Sequence, residues 1–351
     1  MSRTWKQTLL DGLRQQRILD EPAALRVAQH EAVPRYVAYL SGIGACFAAQ
    51  FLLLSLVFTF VYDSPAVTAI GGVLLLGLAA WVLRLPEVFA RQMGLALSLV
   101  GQGMLVLAML QLELLSANSL RPVALGAALV AAGMLLVPTS GMHQRICALI
   151  AMIAGGVLVG VNELLVLYGT ALAALAAGIW LLRCRWAGSR RAGLWRALAE
   201  TATLVALVLP LLSGWLRAAG AAELFGIGVW LHWLHPLAAG MLLLSVSQYL
   251  LRGERLGVRM AALGMVLLLM LAGTQAPGLL IAAALWLAVF HGADRFWCLQ
   301  VGVGVALYLG DFYYSLHISL LLKSALLIAS GAILLALRWC LLRYWGENNE
   351  G

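Results

Sequence analysis

Lys323 is the residue in this 351-residue sequence with the most chemistry to explain, because it stands inside an apolar run near the C-terminus. It lies about seven residues past the start of that run, roughly 10 Å of helix rise. Ser319, Lys323 and Ser330 are one and then two helical turns apart, so they share a face that should point into a bundle rather than at lipid. A buried ammonium without an anion or a ring of carbonyls is disfavoured by several kcal/mol, or loses its proton. Glu163 and Asp311 are the acids expected to supply that anion, ahead of Asp63, Glu113 and Glu223, because short connections hold both near the membrane surface. Such a pair serves a substrate or proton site. It equally serves as a structural brace, and a lone lysine can snorkel outward to lipid phosphate.

His232 and His235 are one helical turn apart among Trp230, Trp233 and Pro236. That spacing puts two imidazoles on one side of a helix, where they could bind a metal or a haem, but no third ligand follows by spacing. With tryptophans around them they read as interfacial belt and helix-entry residues, as do Tyr313 and Tyr314. His291, Asp294 and Arg295 read as a solvated turn, and Gln50, Gln102, Gln248 and Gln300 as amides joining helices. Gly156 and Gly160 make a Gly-x-x-x-Gly packing pair. Five cysteines show no metal spacing and are expected as free thiols. No nucleophile elbow, phosphate loop or His-Glu-x-x-His site is present, so no catalytic residue, metal or cofactor is predicted.

The elements that position these residues follow from composition. Hydrophobic residues make up 63% of the chain and charged residues 11%, which excludes an ordinary soluble domain of this length. The fold class is therefore all-α, a polytopic membrane helix bundle. Apolar runs near 36–61, 66–83, 92–112, 122–138, 144–162, 164–183, 198–216, 228–251, 256–273, 276–290, 296–310 and 316–342 each approach the roughly 20 residues that cross a bilayer, about twelve spans in all. The connection around Asn162 and Glu163 is short enough to be a break within one re-entrant element.

Residues 1–35 carry cytoplasmic amphipathic helices, with Asp20 as an N-cap and no cleavable signal. Residues 36–183 and 198–342 form two transmembrane groups, joined by the basic loop 184–197 and followed by the tail 343–351. The net charge of +8 is topological rather than a nucleic-acid signal. With both termini cytoplasmic, every lysine and arginine falls on the inner side except Arg121, Arg217 and the intramembrane Lys323.

The stretch Gly310-Asp311-Phe312-Tyr313-Tyr314-Ser315-Leu316, followed by Leu321-Leu322-Lys323-Ser324, resembles the closing motif of an uncharacterised bacterial multi-pass membrane family known as a domain of unknown function. The resemblance implies an inner-membrane location, a multi-helix fold and a small membrane protein as partner. It carries over no activity and no site residue. The sequence thus points first to a transport or permeation component with the bilayer around it. A non-catalytic envelope or assembly partner is the alternative, and a membrane-embedded enzyme or haem binder the third reading.

Overall fold

A computed structural model describes residues 64–85, 88–116, 120–137, 141–160, 164–218, 229–272 and 276–315, with scattered positions between 37 and 55 and at 328 and 335. Among the described residues all regular structure is α-helical. Among the described residues five helices are long and apolar enough to cross a membrane, and the protein is an integral membrane protein built of helices. Two compact units divide at Ala108 and Met109.

In the first unit, α1 (Pro65–Val82) starts at Ser64, whose hydroxyl accepts from the Val67 amide at 3.3 Å, with Pro65 in the first turn where a missing N–H is harmless. It pairs with the first part of α2 (Val88–Ser116). The backbones meet at Gly72 and Gly101, where a Cβ on either residue would stand 3.0 Å from the other's carbonyl oxygen. Small residues let helices approach this closely in lipid, where apolar side chains gain nothing merely by leaving the solvent. Outward-facing Ile70, Val73, Leu74 and Trp81 are exposed, as a hydrocarbon solvent permits.

The second unit contains α3 (Arg121–Leu135), α4 (Gly141–Val159), α5 (Leu164–Leu181), the single turn α6 (Arg183–Trp186) and α7 (Ala192–Ala218). It continues through α8 (Val229–Leu250), α9 (Leu256–Ala272), α10 (Pro277–His291) and α11 (Arg295–Ser315). Helix α10 packs against α5, α7, α8 and α11 and so forms the centre. The contact surfaces are alanine-rich: Ala173 and Ala176 on α5, Ala199 and Ala206 on α7, and Ala284 and Ala288 on α10 are all fully buried. Around them close Leu243, Ile281, Leu285, Val301 and the ring of Trp180. Among the described residues the larger contact of α9 is with α8, and Leu256, Met260, Leu267 and Leu268 are exposed.

Several expectations change in detail. Helix α4 ends at Gly160, which has φ 86°, and α5 returns antiparallel, with Leu165 opposite Gly156 and Tyr168 opposite Gly155. Asn162 and Glu163, where a re-entrant break was expected as the alternative, lie outside the described residues. Gly160 is a left-handed terminator, and close approach occurs at Gly155, against which the Tyr168 hydroxyl is pressed while it donates to the Met152 carbonyl at 2.8 Å. Helix α7 starts at Ala192, inside the stretch read as loop, because Arg196 and Glu200 pair one turn apart and hold the first turns. Helix α11 continues past Gly310 through Ser315. Gln102 donates to Ser98 of its own helix at 3.1 Å, and Gln248 and Gln300 are exposed, so the amides do not act uniformly as interhelical links.

Candidate functional site

The described charged residues that lie deepest gather at one end of the second unit, where the first turns of α4 and α7 meet the turn between α10 and α11. Arg145 comes from α4, Arg196 and Glu200 from α7, and Asp294 from the residue before α11. Glu200 is 1% exposed and Asp294 5%. The Arg145 Nε donates to one Glu200 oxygen, and the Arg196 Nε donates to the other at 2.8 Å. Arg196 then reaches across with Nη2 to Asp294 Oδ2 at 2.9 Å. One guanidinium thus bridges two buried carboxylates that are 94 positions apart in the sequence numbering, Glu200 to Asp294.

Local chemistry prepares each position. Asp294 caps α11, its other oxygen accepting from the Trp297 amide at 3.4 Å, and so compensates one of the free N–H groups at the helix start. Just before it, Ala293 has φ 54°, a left-handed conformation that is costly for a residue with a Cβ. The turn is held by the Arg183 guanidinium, which donates to the Gly292 carbonyl and lies 6.0 Å over the Trp180 ring. A Cβ at Gly292 would meet Trp180 Cε3 at 2.9 Å, so glycine is what allows the ring to seat there. Trp180 donates from Nε1 to Thr203 Oγ1 at 3.1 Å, tying α5 to α7 one turn beyond Glu200. His143 and Gln144 are buried beside Arg145 at the start of α4, with the His143 Nε2 3.5 Å from the Cys147 sulfur.

This arrangement holds charge rather than releasing it. A carboxylate whose two oxygens both accept from guanidinium groups is poorly placed to take a substrate proton. Its chemical effect is to lock three elements at one end of the bundle. Among the described residues no three His, Cys, Asp or Glu side chains cluster as metal ligands would. Cys184 and Cys298 are free thiols, and Cys147 is buried against His143.

Of the residues singled out from sequence, Lys323, Ser319, Ser330 and Glu163 lie outside the described residues. Asp311, Tyr313 and Tyr314 fall in the last turns of α11, where Tyr313 is half-buried. His232 and His235 stand in the first turns of α8; His235 is half-buried and the neighbouring Trp233 exposed. The reading of His291, Asp294 and Arg295 as a solvated turn is corrected at its centre. His291 and Arg295 are exposed, but Asp294 is buried and ion-paired, because Arg196 reaches it from another helix. Glu200 was not anticipated. Its signal was an acid just inside the expected span 198–216 with an arginine four residues earlier.

The fold and this paired interior define a helical membrane protein of unknown activity. The chain belongs to the family described as Domain of unknown function (DUF4401), which matches residues 34–344. No curated protein and no solved structure matches the chain.

Proposed function

We propose that the protein is a multi-pass transport or permeation component of the bacterial inner membrane, closed at its cytoplasmic end by the Arg145–Glu200–Arg196–Asp294 network. The observation that carries this reading is that network: two buried carboxylates held by arginines from two different helices. A bundle that needed only stability could place apolar side chains there, since a buried ion pair gains little over good packing and is often worse. Paired charges between helix ends can part and re-form, which packed leucines cannot do selectively. The basic residues of the surrounding segment, Arg183, Arg185, Arg190 and Arg191, support the cytoplasmic assignment by the positive-inside rule.

About twelve spans with both termini inside complete the proposed topology. Lys323, which by spacing shares a helix face with Ser319 and Ser330, would be the intramembrane cation on the path, with Glu163 or Asp311 as its partner. The closure is tested with purified protein in liposomes, reading potassium and proton flux with trapped indicators. Wild type is expected to be tight and Glu200→Gln to leak at least severalfold faster. Equal flux in the empty, wild-type and Glu200→Gln liposomes, with the variant still folded, sinks the gate. Lys323→Met should leave insertion intact and abolish the cellular phenotype; wild-type behaviour would remove the lysine from the mechanism.

A second reading is a non-catalytic assembly partner for a small membrane protein, for which the exposed apolar side chains of α9 beside α8 offer a surface that lipid would otherwise cover. Isolation in mild detergent with no other membrane protein attached counts against it.

A further inference from the structure

Helices α5 and α8 both pack on α10, and between them runs an open groove of about 580 Å³, within the range of small-molecule sites. Along α5 it extends from Leu167 to Leu181, about 21 Å of helix rise. That exceeds the depth of one leaflet's hydrocarbon, half of a core of about 30 Å. The α5 wall is low: Ala171 and Ala174 are exposed, and a Cβ at Gly178 would meet nothing within 4 Å.

Besides the Tyr249 phenol, two aliphatic hydroxyls line the groove, and both of these are already used within their own helices. Thr170 donates to the Val166 carbonyl at 3.1 Å and Ser245 to the Met241 carbonyl at 2.7 Å. Neither therefore needs a polar occupant, and a hydrated solute would lose water there without replacement bonds. Hydrocarbon loses nothing. The polarity is concentrated at one end, where the Arg252 guanidinium lies 5.0 Å over the Tyr249 ring and His291 meets that ring edge-on at 6.3 Å. Among the described residues no carboxylate pairs with Arg252, although Glu254 is close in sequence. Exposed Arg185, just past the end of α5, adds to the positive charge near the same helix end.

We propose that this groove seats an anionic glycerophospholipid, one acyl chain between α5 and α8 and the headgroup phosphate on Arg252. Charge complementarity selects the end, since an arginine held on an aromatic face presents a fixed fork to phosphate oxygens. The saturated hydroxyls and small side chains select an acyl chain for the remainder.

The test uses the full chain in mild detergent, titrated with phosphatidylglycerol and phosphatidylcholine of identical acyl chains while thermal unfolding is followed. Phosphatidylglycerol should bind about fivefold more tightly, the ratio expected of one arginine at an anionic lipid surface, and should raise the midpoint further. Arg252→Gln should make the two lipids equivalent. Equal response of the wild type to both lipids, or an undiminished preference in Arg252→Gln, overturns the proposal. Because a variant can lose stability for other reasons, a photoreactive amino acid placed at the exposed position Ala174 gives an independent reading in membranes. A phospholipid adduct is expected; an adduct to another segment of this chain, to another protein, or none at all, overturns it.

Discussion

Glu200 sits 1% exposed between guanidinium groups from two helices, and its worth is set by what remains when it goes. Glu200→Gln removes the charge but keeps the shape, leaving two half-buried arginines without their shared carboxylate. Breaking one partner of a buried pair costs about 3 kcal/mol or somewhat more. Thermal unfolding in detergent should show that loss, and Arg196→Met should be nearly as severe because Asp294 also loses its partner. In the double variant the two losses should add to less than their sum, since both remove the same contact. Ala293 offers the opposite sign. Its left-handed backbone costs about 1 kcal/mol or more relative to glycine, so Ala293→Gly should raise the unfolding midpoint even after the extra freedom glycine gives the unfolded chain. A lower midpoint would mean that the Cβ makes a contact worth more than the strain. Neither residue was legible beforehand. Glu200 beside Arg196 reads as a solvated pair on a helix start, and nothing in a single sequence connects either to Arg145 or Asp294. Lys323 is conspicuous in the sequence instead because its apolar neighbours are adjacent to it in the chain.

At the scale of the element, the described helices were legible because lipid imposes a long apolar run on a helix that crosses it, whereas most of the expected spans 36–61 and 316–342 lies outside the described residues. The ends were not, because caps and pairs decide them. Helix α7 has 27 residues, about 40 Å against a hydrocarbon core of about 30 Å, so its first turns project far enough to carry Arg196 and Glu200. Helix contacts were likewise hidden. The Gly156 and Gly160 pair was visible as a pattern, whereas the glycine that matters between α10 and α11 is Gly278. A Cβ there would stand 2.3 Å from the Tyr308 ring. That ring is trapped from the other side, since the Tyr308 hydroxyl donates to the Leu207 carbonyl at 2.6 Å and the side chain is buried. Gly278→Ala should therefore cost about 2 kcal/mol through overpacking. Tyr308→Phe should cost about 1 kcal/mol, the net value of one hydrogen bond. If Gly278→Ala unfolds like wild type, the α10 to α11 approach is looser than the ring position implies.

For the whole molecule, the remaining question is which end of the bundle faces the cytoplasm, and one native thiol can answer it. Cys184 is exposed in α6, flanked by Arg183 and Arg185, at the end of the bundle that carries the ion network. Arginines near the ends of short connections set orientation, so this end should be cytoplasmic. In a variant with the other four cysteines changed to serine, a membrane-impermeant maleimide should label Cys184 in inverted vesicles but not in intact spheroplasts. The reciprocal probe is Leu120, exposed at the start of α3 beside Arg121, one of the few arginines expected outside. Leu120→Cys in a cysteine-free background should label in spheroplasts and stay protected in tightly sealed inverted vesicles. Labelling of both thiols from the same side would contradict the antiparallel order of spans between residues 120 and 184. Reversal of both would keep the fold but place the Glu200 network on the outer face. The proposed closure would then guard the opposite entrance.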